Sequence, residues 1–285
     1  MARKKSKNTT NFKSSLTIAI LLFMVCAVAY STCTDKKVNG EGMLNGTADE
    51  ELLTKVRTEG LEDTVMLHYP GFDVLFSNNH KQPYYVAWIL TPENARAAAV
   101  KRSNNFRPDP NVENSAQLSD YKRSGFDRGH MAPSADFRYS ADAQDATFFL
   151  TNISPQHTTL NTKAWANLEE QCRNWAKRDS TLIIITGPVL NDKITATIGE
   201  SRVSVPSRFF KVVFAPYANP PRAIAFVMPN HYVEGGVQAT ATTVDVVEQI
   251  TGYDFFSSLP DDVEAEIESR AKYPEWQYAK KRKQK

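Results

Sequence analysis

Cysteine is nearly absent from this chain, with three in 285 residues. Cys26 lies inside an apolar run and Cys33 just after it, so the body of the chain holds a single thiol, Cys172. That excludes a disulfide framework. Stability must come from a buried core, and 41% apolar with 11% aromatic residues is enough to build one. No segment repeats at a period of roughly 20 to 50 residues, which excludes solenoids and propellers. No apolar run reaches the roughly 18 to 20 residues that a membrane-crossing helix needs. Acidic residues are missing before Asp35, and that absence points to the first functional signal.

Arg3, Lys4, Lys5, Lys7 and Lys13 are followed directly by the apolar stretch Leu16 to Ala29, which ends in the small-residue pattern Ala27-Val28-Ala29. A basic segment, a short apolar segment and a small-residue cleavage site make a secretory signal. The reading is therefore an exported protein, located in the periplasm, in the cell envelope or outside the cell. Membrane attachment through Cys33 or through an uncut N-terminus is the lesser outcome. Residues 34 to 60 are rich in Gly, Asn, Thr and charged residues and read as a spacer. The expected organisation is a signal over 1–29, a flexible spacer over 30–66, one folded domain over 67–272 and a basic tail over 273–285.

The formal net charge of +2 hides its distribution. Removing residues 1–29 takes away five bases and no acid, leaving −3. Residues 101 to 178 carry 11 bases against 9 acids, whereas 234 to 275 carry 2 against 10. Any attraction for a polyanion is expected to be local to the first of these stretches.

Tyr84 to Leu90, Leu182 to Thr186, Phe209 to Ala215 and Ala223 to Met228 are β-branched or aromatic runs bounded by turn residues, and they predict strands. The last two predict an antiparallel hairpin with a long loop. Between Thr162 and Arg178 the residues Trp165, Leu168, Cys172 and Trp175 recur at helical spacing and define one buried stripe. Thr243 to Thr251, stopped by Gly252, and Asp261 to Ala271 predict two more helices. Strands with a few helices in mixed order predict one α+β domain, a mostly antiparallel sheet flanked by helices.

The densest cluster of chemistry-bearing residues is Ser124 to Pro133 (SGFDRGHMAP), with Asp127, Arg128, Gly129 and His130 in succession. A given four-residue string arises by chance in a chain of this length roughly twice in a thousand cases, so context matters. Context comes downstream, in Thr151 to Gln156 (TNISPQ) and then Asn161, Trp165, Glu169 and Arg173. Hydrolysis of a phosphodiester needs a base for the attacking water and positive charge for oxygens that grow more negative in the transition state. His130 suits the first need, because imidazole is neutral yet basic near neutral pH. A metal ion or arginines meet the second. Asp127 either orients His130 or braces its loop.

In these motifs, and in ITGPV, SVPSRFFKVV, AFVMPN and TTVDVVEQITGYDFF that follow in order, the sequence resembles the DNA/RNA non-specific endonucleases, whose active site is of the ββα-metal (His-Me finger) type. The resemblance covers about His68 to Leu259. It implies His130 as general base and Asn161 as the direct protein ligand of a Mg²⁺ ion, with Mn²⁺ able to replace it. It implies a water-bridged role for Glu169, phosphate contacts for Arg128 and Arg173, and a polar active-site position for Asn152. The substrates implied are DNA and RNA, the products carry 5′-phosphates, and a homodimer is common in the family. Lys101, Arg102 and Arg107 are expected to be backbone contacts with no catalytic role.

Each residue also has an ordinary structural reading. Asn161 suits a helix N-cap, and Glu169 with Arg173 suits a surface salt bridge at i,i+4. Asn152 suits backbone bonding at a strand end, and Gly129 suits a positive φ. His157 is read as a surface residue, Trp165 and Trp175 as core. Two other functions compete with the nuclease, a silent nucleic-acid-binding domain on the same scaffold and a phosphodiesterase for small nucleotides.

Overall fold

The computed structural model describes residues 50–277. The export signal, most of the spacer and residues 278–285 of the tail lie outside the described residues. Thirteen strands are β1 Arg57–Thr58, β2 Thr64–Tyr69, β3 Phe72–Ser77, β4 Gln82–Leu90, β5 Asp127–His130, β6 Ile153–Gln156, β7 Leu182–Pro188, β8 Thr197–Ile198, β9 Val203–Ser204, β10 Arg208–Ala215, β11 Arg222–Pro229, β12 Ala241–Thr242 and β13 Tyr253–Asp254. Seven of them form one sheet in the order β12-β11-β10-β7-β4-β3-β2. Every pairing in it is antiparallel. The α+β expectation holds.

The central strand β7 is buried along its whole length, as its unbroken apolar run requires. Its neighbour β10 reads by alternation: Phe209 and Val213 join the core beneath the helix Ala166–Asp179, while Phe210 and Phe214 meet Phe255 and Phe256 on the opposite face. The helical stripe packs as expected, with Trp165 5.6 Å from Phe209 and Trp175 stacked at 6.2 Å on Phe226. Burying side chains of this size contributes about 1.5–3 kcal/mol each, so this face is a main source of stability. The hairpin β10–β11 pairs Arg208 to Ala215 with Pro229 to Arg222.

The helix Val244–Thr251 begins at Thr243, whose hydroxyl accepts the Val246 amide, and ends at Gly252, which takes the left-handed conformation at φ 72°. Both signals were legible in the sequence. The helix Asp261–Glu268 follows.

The edges of the fold differ from the expectation. Leu53 is buried in the short helix Glu50–Leu53, β1 pairs with β13, and β2 begins at Thr64, so ordered structure reaches back into the presumed spacer. At the other end the helix Tyr273–Trp276 places Trp276 against Trp175 at 4.9 Å. In both places one apolar side chain anchors a polar-looking segment. Composition averages hide such anchors.

Candidate active site

β5 and β6 form a separate two-stranded antiparallel ribbon, with Asp127 opposite Gln156 and His130 opposite Ile153. The chain then enters a π-helical turn, Leu160–Trp165, that continues into the helix Ala166–Asp179. Strand, strand and helix stack on the edge of the core. The indole of Trp165 donates to the His130 carbonyl at 3.1 Å, tying the end of β5 to the first turns of that helix.

The crossing is tight at Gly129. A Cβ there would stand 2.2 Å from the Oε1 of Gln156, whereas its φ is not positive. Close approach of Gln156, not backbone handedness, is therefore why glycine occupies the position. This corrects the expectation of a positive φ.

His130 is 8% exposed and its Nε2 has no hydrogen-bond partner. Its ring meets the edges or faces of Phe148 at 5.0 Å and Phe106 at 5.3 Å. Burial, reinforced by the charges of Arg102 and Arg128, pushes its pKa down to about 3. The imidazole is neutral at physiological pH, with a lone pair to offer. Phe106 also carries Arg128, whose guanidinium lies 4.1 Å from the ring centroid. Base and arginine thus share one aromatic support.

Asp127 braces the following turn and makes no contact with the imidazole among the hydrogen bonds of the described residues. Its Oδ2 accepts from the Asn161 amide nitrogen at 3.0 Å and its Oδ1 from the Thr158 hydroxyl at 2.9 Å. Because Asn161 Nδ2 is engaged, Oδ1 is the atom left to meet a cation. Asn161 sits inside the π-turn, where Thr159 is the residue at the N-terminal boundary, so the N-cap reading does not apply. π-turns recur at functional sites because they displace one side chain from the regular helical path. A neutral carbonyl beside a braced carboxylate is a donor set that suits a hard, strongly hydrated divalent ion.

Glu169 and Arg173 do not form the expected i,i+4 pair. Arg173 instead bonds Asp136 at 2.9 Å, and Asp136, buried, also accepts from the Trp88 indole at 3.2 Å. Glu169 is pushed up to about 7 by burial, against the opposing pull of Lys211, Arg173 and Arg102. Lys211 is the residue that sequence reasoning missed. It is 1% exposed, its Nζ has no hydrogen-bond partner, and it lies 4.5 Å from the Trp165 ring centroid and 5.1 Å from that of Trp88. The signal was present, a lysine in the middle of the apolar strand Phe209 to Ala215.

Asn152 does not offer its amide to the site. Its Oδ1 accepts from Ala132 N, and its Nδ2 donates to the carbonyls of Ala132 and Thr147, all at 2.9 Å. With every polar atom bonded to backbone and no exposure, it holds the turn after His130 in place. The catalytic expectation for Asn152 is corrected to this bracing one. Arg102, expected from the sequence as a backbone contact without a catalytic role, comes to the site: it stands 4.9 Å over Phe148, donates to Ser134, and its charge acts on both His130 and Glu169. Arg107 is bound to Asp145 at 2.6 Å and stacked on Phe149. His157 is exposed and bonds Thr159, in keeping with a surface residue. Cys172 is buried, its thiol pushed up to about 12 by burial, and chemically inert.

Comparison with known proteins meets this geometry from outside. Residues 49–262 match the family model described as DNA/RNA non-specific endonuclease. The chain is 34% identical over 208 residues to the mitochondrial nuclease of Saccharomyces cerevisiae, covering 65% of this chain and 63% of the relative. Human mitochondrial endonuclease G is 33% identical over 189 residues, covering 60% and 64%. A nuclease of Nostoc sp. is 32% identical over 222 residues, covering 73% and 79%. The chain thus spans somewhat less than two thirds of the length of several of these relatives. The solved structure of the EndoG/EndoGI complex superposes with a TM-score of 0.65 at 29% identity, covering 70% of this chain and 88% of that one. With the motif order, the ββα ribbon and the family match in agreement, the chain belongs to the DNA/RNA non-specific endonuclease family.

Proposed function

We propose that this protein is an exported, metal-dependent, sugar-non-specific endonuclease that hydrolyses phosphodiester bonds of DNA and RNA and leaves 5′-phosphate and 3′-hydroxyl ends. The observation that carries the reading is the buried, unpartnered Nε2 of His130 on the same strand–strand–helix unit as the braced Asn161. A neutral imidazole with a free lone pair takes the proton of a water that attacks phosphorus in line. The arriving phosphate adds negative charge near the ring and raises its basicity toward the working range. Arg128 and Arg102, held over the Phe106 and Phe148 rings that meet His130, supply positive charge for the phosphate. Asn161 would hold a Mg²⁺ ion, or Mn²⁺ in its place, with Glu169 ordering water near it, and the ion would supply positive charge to the phosphate and to the departing 3′-oxygen. None of these groups addresses a ribose 2′-hydroxyl, which supports cleavage of both polymers.

Export rests on the basic start, the short apolar run and Ala27-Val28-Ala29. A mitochondrial transit peptide, the address implied by the names of the yeast and human relatives, is amphipathic and lacks so compact an apolar run.

The test offers supercoiled plasmid and folded RNA to the purified protein with Mg²⁺, then repeats the assay in chelator and with His130→Ala. Cleavage of both polymers is expected in Mg²⁺ alone, and His130→Ala should lose about 10²–10⁴-fold in turnover. Full activity in chelator would overturn the metal-dependent reading.

A further inference from the structure

The acidic C-terminal region gathers a second concentration of charge around one buried carboxylate. Asp245 and Glu248 stand one turn apart on the helix Val244–Thr251, and Glu268 is the last residue of the helix Asp261–Glu268. One carboxylate oxygen from each lies within 4.8 Å of the other two. Glu268 is 5% exposed, and its Oε1 has no hydrogen-bond partner. Glu248 is held in place because its Oε1 accepts the Phe255 amide at 2.8 Å.

The bases nearby are committed elsewhere. Arg270 pairs with Glu266 at 2.8 Å and Lys272 with Glu275 at 3.4 Å, and these are the two bases between 234 and 275. Arg57 pairs with Asp254 at 3.0 Å. The charges that act on Glu268 are those of Glu248, Glu264, Asp245 and Asp254, carboxylates without exception.

A buried carboxylate without a partner is costly, and it is relieved by a proton or by a cation. The donor set selects among cations. Three carboxylate oxygens within 4.8 Å of one another can meet a single ion, and Mg²⁺, which dehydrates reluctantly and takes one or two carboxylates with several waters, is served less well by such a set than Ca²⁺ with its flexible shell of oxygens. We propose that Asp245, Glu248 and Glu268 form a Ca²⁺ site that clamps these two helices together and is distinct from the Asn161 site. Three carboxylates supply three to six of the six to eight oxygens that Ca²⁺ takes, and water completes the shell.

The test is thermal unfolding of the full chain in chelator, in CaCl2 and in MgCl2. Ca²⁺ at about 100 times its Kd is expected to raise Tm by about 5–10 °C. The rise should vanish in Glu268→Gln and in Asp245→Asn, both of which should keep their plasmid cleavage in Mg²⁺. Calorimetric titration of the wild-type chain with CaCl2 reads binding directly, and this arm stands even if a variant fails to fold. A wild-type Tm indifferent to Ca²⁺, a rise that survives in both variants, an equal rise with Mg²⁺, or the absence of a Ca²⁺ binding isotherm would each overturn the proposal.

Discussion

Two glutamates of this chain, one partly buried and one buried, begin from the same physics and end differently. Glu169, under the active site, is surrounded by Lys211, Arg173 and Arg102, and burial lifts it only to about 7. Glu268, in the acidic C-terminal face, is surrounded by Glu248, Glu264, Asp245 and Asp254, and is lifted to about 9. Desolvation is the leading cause in both, so the neighbours decide the outcome. Around Glu169 the fold has built its own cations into a sheet strand and a helix, and these keep the carboxylate ready to ionise at neutral pH. Around Glu268 it has built none, which leaves an electrostatic demand that something outside the chain must meet. The same contrast is written in the charge count of the two stretches, 11 bases against 9 acids in 101–178 and 2 against 10 in 234–275.

The sharpest way to break the comparison is to neutralise each glutamate in turn. Glu169→Gln should lose about 10²–10³-fold in kcat, the scale expected when a positioned charge at the transition state is removed. Glu268→Gln should leave kcat unchanged in the same plasmid assay. Comparable losses from the two variants would mean that the C-terminal face belongs to the catalytic machinery after all.

A smaller effect tests the cations rather than the carboxylates. Lys211 exerts the strongest downward pull on Glu169 of its charged neighbours. Replacing it in Lys211→Met, which keeps the apolar stem between Trp88 and Trp165, removes that pull and raises the Glu169 pKa. Cleavage that needs ionised Glu169 should then require a higher pH, its acid limb moving up by about one unit or more. An unmoved limb with lowered kcat would assign Lys211 to packing alone.

How far the sequence foretold this site depends on the kind of interaction. The strands β4, β7, β10 and β11 and the helix beginning near Trp165 were legible because periodicity and turn residues are local signals. His130, Asn161 and Arg128 were singled out from motif and resemblance together, and all three stand in the ββα unit, where their roles are those proposed above. Asn152 was misread because its partners, Ala132 and Thr147, come from turns whose meeting only the folded chain reveals. Arg173, expected from the resemblance as a phosphate contact, bonds Asp136, a partner 37 residues away that no local signal names. Lys211 left a local trace, a charge inside an apolar run, but its meaning depends on which face of β10 meets the helix. Charges buried by long-range packing are the least legible feature in any chain, because their neighbours are set by the fold and not by the sequence nearby.

The smallest expected effect concerns stability and separates the two glutamates by pH. A glutamate whose folded pKa stands above its unfolded value binds a proton more tightly in the native state. It therefore contributes stability fully below the unfolded value near 4.5, and that contribution is lost as pH rises through the folded pKa, about 9 for Glu268. In chelator the wild-type Tm should fall as pH is raised from 5 to 9, part of the fall coming from Glu268. Glu268→Gln, which cannot ionise, should flatten the curve and exceed the wild type at alkaline pH by about 2–4 °C, the shift that 1 kcal/mol produces in a domain of this size. Adding Ca²⁺ should close that gap by stabilising the wild type alone. A wild-type curve and a Glu268→Gln curve that run parallel from pH 5 to 9 would show that the C-terminal carboxylates are already compensated, and the contrast with Glu169 would fail.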